Sequence, residues 1–227
     1  MKRAALGLRM HSGWGVLVAV AGDATSVELM DRRRIVTTDP RVPGANQPYH
    51  YAASLGLAES ERYLANCAAA SERLAAAAIG DLVRELGLRN HRIIGSAVLL
   101  ASGRPLPSLA NILRSHALIH TADGEFFRRA VRKACQGLKI PVTDVREREL
   151  NDRAQTVFGN QASRIERWIS RLGTSVGPPW TKDHKTAALA AAMVLARSKT
   201  GVSPRAAPSY QRNPIGGAPE ISARIGR

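Results

Sequence analysis

The sequence predicts an α/β protein built on a mixed five-stranded sheet, three antiparallel strands followed by two parallel ones, with helices on its faces. Three observations carry this. Residues 4–20 form two short apolar runs joined by a tight polar turn, and a third run follows at 26–36, which is how consecutive antiparallel strands read. A long amphipathic stretch then leads into a nearly continuous apolar run at 92–101, the mark of a strand covered on both faces beside a parallel partner. A second helical stretch leads into a further short strand at 140–145.

Taken in order, the first two strands turn at His11-Ser12-Gly13 and the third begins after Gly22-Asp23. Residues 37–51 hold Asp39-Pro40, Pro43-Gly44 and Gln47-Pro48, a punctuation that predicts a loop. A helix is expected over 58–86, where Leu64, Cys67, Ala68, Ala75, Ala78, Ile79, Leu82 and Leu86 recur near the 3.6 period. Gly87 stands where a left-handed cap would end it. Gly103-Arg104-Pro105-Leu106-Pro107 breaks the chain after the fourth strand, and one or two helices run from Ser108 to near Gly137. Their inward face is Phe126, Phe127, Ala130, Val131, Ala134 and Leu138, which leaves Arg128, Arg129, Arg132 and Lys133 as an outward basic stripe.

Helices are expected at 147–158 and 163–172, the second opening on a capping box of Ser163 and Glu166. Ile165, Trp168, Ile169 and Leu172 form its buried face, with Arg164, Arg167 and Arg171 on the other side. After Gly177-Pro178-Pro179-Trp180, Thr181 is placed to cap an alanine-rich helix over 182–197. Beyond it Pro, Gly, Ser and Arg alternate without apolar period. That pattern predicts a domain over 1–197 followed by a disordered basic tail, 198–227.

Composition narrows the function classes. With 44% hydrophobic but only 4% aromatic residues, the core must be built from Ala, Leu, Val and Ile. The longest apolar run, 187–196, is half of the roughly 20 residues that cross a bilayer, so no membrane span is expected. Lys2 and Arg3 precede a segment interrupted by Arg9 and His11, unlike a signal peptide, and a cytoplasmic protein is expected. Cys67 and Cys135 lie on apolar helix faces and should be reduced and unpaired. The formal charge is +15, and residues 1–196 alone carry 27 Lys and Arg against 17 Asp and Glu. A positive surface concentrates anionic partners, most simply nucleic acid, by counterion release. An arginine-rich genome would produce the same surplus with no such partner.

The order of elements is that of the ribonuclease H-like fold, and local sequence resembles the RuvC-type Holliday junction resolvases over most of residues 1–196. Gly7-Leu8-Arg9-Met10 through Gly13-Trp14-Gly15-Val16 resembles that family's opening, where a strand carries Asp-Pro-Gly and a Gly-aromatic-Gly-Val strand follows. Thr121-Ala122-Asp123-Gly124 with Ile140-Pro141-Val142, then Val145-Arg146-Glu147-Arg148-Glu149-Leu150, and Ala187-Ala188-Leu189-Ala190 are similar to its later segments in the same order.

The departures bear on activity. The resemblance implies four carboxylates, from the first strand, the fourth strand and the start of the last helix, holding two Mg²⁺ ions that polarise a phosphodiester and activate water. Here the matching positions hold Arg9, Ser96 or Ala97, His184 and Ala187, with only Asp183 nearby. Arg9 and Lys185 would repel Mg²⁺. A scaffold without the two-metal nuclease site is expected, with no catalytic residue, metal or cofactor assigned.

Two other readings attach to particular residues. Arg9, Lys182 and Lys185 at a helix N-terminus could hold a phosphate, or Arg9 could simply pair with Asp183. His116 and His120 are four apart, the spacing that puts two metal ligands on one helix face, with Asp123 and Glu125 behind them and His50 in the long loop. Alternatively one of these histidines packs between helices and another caps a turn at Thr121, while Tyr49 and Tyr51 anchor the loop around His50. The sequence therefore reads as a catalytically inactive RuvC-like protein that binds nucleic acid, DNA in preference to RNA, through Arg9, Lys182, Lys185, Arg128, Arg132, Lys133, Arg164, Arg167 and Arg171, with a homodimer allowed. The alternatives are a hydrolase using His50, His116, His120, Asp123, Glu125 and Asp183, and a partner-binding structural protein.

Overall fold

Side chains on β1 (Lys2–Met10) alternate between two apolar layers, and almost every residue from Ala4 to Met10 is buried. Leu6, Leu8 and Met10 enter one layer and Ala5 the other, as expected of a strand covered on both faces. The computed structural model describes residues 1–23, 26–101 and 105–197; the tail expected at 198–227 lies outside them. β2 (Trp14–Gly22) and β3 (Val27–Val36) continue antiparallel from β1, and β4 (His91–Leu100) and β5 (Val142–Arg146) run parallel to it, in the order β3-β2-β1-β4-β5. This is the mixed sheet expected from the sequence, three antiparallel strands followed by two parallel ones. Gly7 pairs with Val18 on one side and Ala97 on the other.

One layer joins the sheet to α2 (Leu57–Leu88) and α4 (His116–Gly137) through Leu6, Leu8, Leu17, Ile79, Leu82, Val98 and Phe127. The opposite layer joins it to α5 (Leu150–Phe158), α6 (Ala162–Val176) and α7 (Lys182–Arg197). Helix α7 lies directly on β1, β2 and β4 and is covered in turn by α5 and α6. It therefore has apolar neighbours nearly all round, and ten of its sixteen residues are buried. Its alanines allow a close approach. A Cβ added to Gly7 would lie 1.9 Å from the Ala187 carbonyl oxygen, so only glycine fits where this helix crosses β1. Cys67 and Cys135 are buried and unpaired, and no helix of the described residues is long and apolar enough to cross a membrane.

Several local expectations are corrected. The stretch read as loop holds a short helix, α1 (Pro48–Ala52), where the fixed φ of Pro48 suits a first helical position. Helix α2 runs through Gly87 to Leu88, and the positive φ of +60° falls on Asn90 instead, a residue that tolerates the left-handed region. The 108–137 region divides into α3 (Leu109–Leu113) and α4, and Leu138 is exposed beyond the end of α4 rather than on its inner face. Helix α6 starts at Ala162, so Ser163 lies inside the first turn and no capping box forms.

Gly7→Ala should destabilise the protein by about 3 kcal/mol, because backbone on α7 must move to admit the methyl group. Gly87→Ala should stabilise it by about 1 kcal/mol, because a helical glycine with nothing within 4 Å gains only helix propensity. Urea unfolding of the two variants measures both, and the Gly87 result also tests the reassigned helix end.

Candidate functional site

The carboxyl ends of β1, β4 and β5 open at the same edge of the sheet, where ligand crevices of α/β proteins form. A groove of about 490 Å³ lies there, lined by Arg9, His11, His120, Arg128, Glu147 and Arg148 among others. Arg9 is the penultimate residue of β1, and Glu147 follows β5 immediately. Asp183 is the second residue of α7. The three meet: Arg9 Nη1 donates to Asp183 Oδ1 at 2.5 Å and Nη2 to Glu147 Oε2 at 3.1 Å. His11 Nε2 lies 2.7 Å from the other Asp183 oxygen, its ring stacked on Trp14 at 4.3 Å. Arg34 lies over the Trp14 ring in turn, 4.5 Å from its centroid.

Asp183 is held there by the way α7 begins. Arg32 of β3 donates to the carbonyls of Val176, Gly177 and Pro179 at 2.7–2.8 Å. These include the last carbonyls of α6, where a cation also complements the helix dipole. Trp180 Nε1 donates to Ile169 O at 2.8 Å. Thr181 caps α7, accepting the Lys185 N–H through its carbonyl, while its own N–H and hydroxyl both point at His184 Nδ1. A backbone N–H can only donate, so Nδ1 accepts and the neutral ring carries its proton on Nε2. Burial lowers the His184 pKa and the nearby Arg32 charge lowers it further, against a smaller opposing effect of Asp183.

The four carboxylate positions implied by the resemblance thus hold a different arrangement. Arg9 itself supplies the positive charge that Asp183 and Glu147 require. On β4, Ser96 turns away from α7, donating to Pro141 O at 3.1 Å, while Ala97 and Leu99 face the α7 layer. His184 is a helix cap and Ala187 is fully buried against β1. Arg9, one of the residues expected to hold a phosphate, directs its guanidinium at two carboxylates. Lys182 is exposed and Lys185 half-buried on the first turn of α7, neither within ion-pair distance of a carboxylate among the described residues.

The basic stripe expected on α4 is largely neutralised. Arg132 bridges Glu125 and Asp144 at 2.7 and 2.8 Å, Lys133 pairs with Glu72 at 2.7 Å, and Arg128 is mostly buried with Nε donating to Leu99 O. Arg164, Arg167 and Arg171 are exposed on α6 as expected, with no carboxylate in ion-pair distance among the described residues.

A second group of side chains stands beside the groove. His50 from α1 meets His116 and His120 from α4, with ring centroids 4.4–5.4 Å apart. Asp123 joins them from below: its side chain is 4% exposed, and its two oxygens accept the Tyr49 N–H at 2.7 Å and His50 Nδ1 at 2.6 Å. Neither α4 histidine caps a turn at Thr121, which lies inside the helix and donates to Ala117 O. Glu125 is absent from this group because Arg132 holds it, and Asp183 belongs to the Arg9 cluster. Tyr49 packs on Phe126 and Tyr51 on Tyr63, so both do anchor the segment that carries His50. Sequence reasoning missed His11 and Glu147. The tight Gly13 turn, which folds Trp14 back beside His11, and the position of Glu147 at a strand end were the available signals.

No protein-family model matches the chain, and no curated protein sequence does. Among solved structures it is similar to Thermus thermophilus RuvC in complex with a Holliday junction substrate, at 13% identity and TM-score 0.49 over 87% of this chain and 97% of that one. A second Thermus thermophilus RuvC structure matches at 13% identity and TM-score 0.45 over the same shares.

Replacing Arg9 with Met removes the donors of two part-buried carboxylates and should cost roughly 1–3 kcal/mol of stability, read by urea unfolding at neutral pH. His184 adds a pH dependence. Its folded-state pKa lies below the ordinary value of 6.5, so the unfolded chain binds the proton first as pH falls. The contribution to stability is complete above pH 6.5, declines below it, and levels off once the folded-state pKa is passed. In His184→Asn, where Oδ1 replaces the accepting Nδ1, unfolding midpoints between pH 7.5 and 5 should fall less than in the natural protein.

Proposed function

We propose that this protein binds nucleic acid, DNA in preference to RNA, through its phosphates, and does not cleave it by a two-metal carboxylate mechanism. The observation that carries the reading is the row Arg164, Arg167 and Arg171 on the outer face of α6, exposed and without carboxylate partners among the described residues. Spaced i, i+3 and i+7, the row extends about 10 Å along one side of the helix. Elsewhere much of the positive charge is answered within the protein, as at Arg9, Arg132 and Lys133. Lys182 and Lys185 at the start of α7, which packs against α6, add two further cations. Residues 197–227, with six Lys and Arg against one acid, supply a basic tether.

The preference for DNA rests on the sequence resemblance to the RuvC-type resolvases, which also selects the four-way junction as a probe. The absence of cleavage rests on Arg9, which stands in the place of the first carboxylate and binds Asp183 and Glu147. An anisotropy titration with a labelled four-way junction and a matched duplex, in Mg²⁺ at two salt concentrations, tests both parts. Binding should weaken steeply with salt and leave the DNA uncut. The variant with Arg164, Arg167 and Arg171 all changed to Ala should lose about 2–3 from the slope of log K against log salt. Failure to bind at low salt would refute the binding role, and cut products would refute the inactivity.

A further inference from the structure

We propose that His50, His116 and His120 form a three-imidazole site for a divalent transition-metal ion of the zinc class, with Asp123 orienting His50. One nitrogen from each of the three rings lies within 4.8 Å of the other two. Around a tetrahedral ion with Zn–N bonds of about 2.0–2.1 Å, such nitrogens sit roughly 3.3 Å apart. Side-chain rotation of His116 and His120, both exposed, can make that adjustment without moving the helix. Their i, i+4 spacing on α4 already places both rings on one face.

Asp123 is what separates this group from three histidines that merely touch. It is a buried carboxylate whose two oxygens are both used, one by the Tyr49 N–H and one by His50 Nδ1 at 2.6 Å. This contact engages Nδ1 with the carboxylate, which leaves Nε2 as the ring position open to an ion. A histidine ligand fixed by a carboxylate on its other nitrogen is the usual support of a protein metal site. The pairing also anchors α1, a five-residue helix, to α4, which holds the third ligand in place across the 65 residues of sequence between His50 and His116. Three imidazoles leave one position of a tetrahedral ion for water or a substrate oxygen, and His120 also lines the groove beside Arg128 and Glu147. The site is independent of the nucleic-acid reading, since none of its residues belongs to the proposed phosphate contacts.

The test is calorimetric titration of the full chain, stripped with chelator, with Zn²⁺, repeated with Co²⁺ to read ligand-field absorption. One equivalent should bind, with a Co²⁺ spectrum of nitrogen and oxygen ligation. His116→Ala and His120→Ala, at exposed positions, should each weaken binding at least 100-fold with unchanged circular dichroism. Asp123→Asn should weaken it about 10- to 100-fold. No saturable binding to the natural protein, or one-equivalent binding that survives in both histidine variants, would overturn the proposal.

Discussion

The contact between Gly7 and Ala187 is the constraint on which the rest of the molecule turns. With the Ala187 carbonyl oxygen 1.9 Å from where a Cβ on Gly7 would stand, helix α7 has one depth and one axial position on β1. Close approach needs small side chains on both partners, and Ala187, Ala188, Ala190, Ala191 and Ala192 supply them. The first turn of the helix then reaches the end of the strand, so that Asp183 meets Arg9 four residues before Ala187 and two after Gly7. Arg32 and the Thr181–His184 cap hold that turn from the opposite side. The polar cluster at the strand ends is thus a consequence of apolar packing one turn away.

Formal charge and available charge are different quantities in this protein. Arg132 looks like an outward cation by helical spacing, yet Asp144 of β5 and Glu125 two turns away both close on it. Lys133 meets Glu72 across the α2–α4 interface. Helix α6 has Glu166 as its sole acid, and its three outer arginines bond only their own helix or its start where they bond at all. An anionic ligand responds to this remainder, because a cation already facing a carboxylate has little field left to offer.

The strand-end groove joins two unlike clusters. Around Arg9 the carboxylates face a guanidinium, a closed set of charges that stabilises the meeting of β1, β5 and α7. Around His120 three imidazoles gather, and the acid beside them, Asp123, is already bonded twice. Positive charge is balanced in the first cluster, whereas the second gathers imidazole nitrogens at its surface.

The sheet was legible from the chain because burial on both faces leaves a continuous apolar run at β1, β2 and β4 and a 3.6 period in α2, and these are local patterns. Arg9 and the basic stripe on α4 were legible only as types of residue, since neither spacing nor composition reveals which carboxylate another element will bring. Gly87 and Asn90 show the same limit at a helix end: both residues permit a left-handed cap, and the docking of α2 on the sheet decides which one takes it. His116 and His120 announce themselves by their spacing, but His50 joins them only because α1 folds against α4 and Asp123 holds it there. Sequence alone determined the five strands and the long helices, their order and the surplus of positive charge. Tertiary structure decided which charges are cancelled and which histidines meet, because those depend on contacts between residues far apart in the chain.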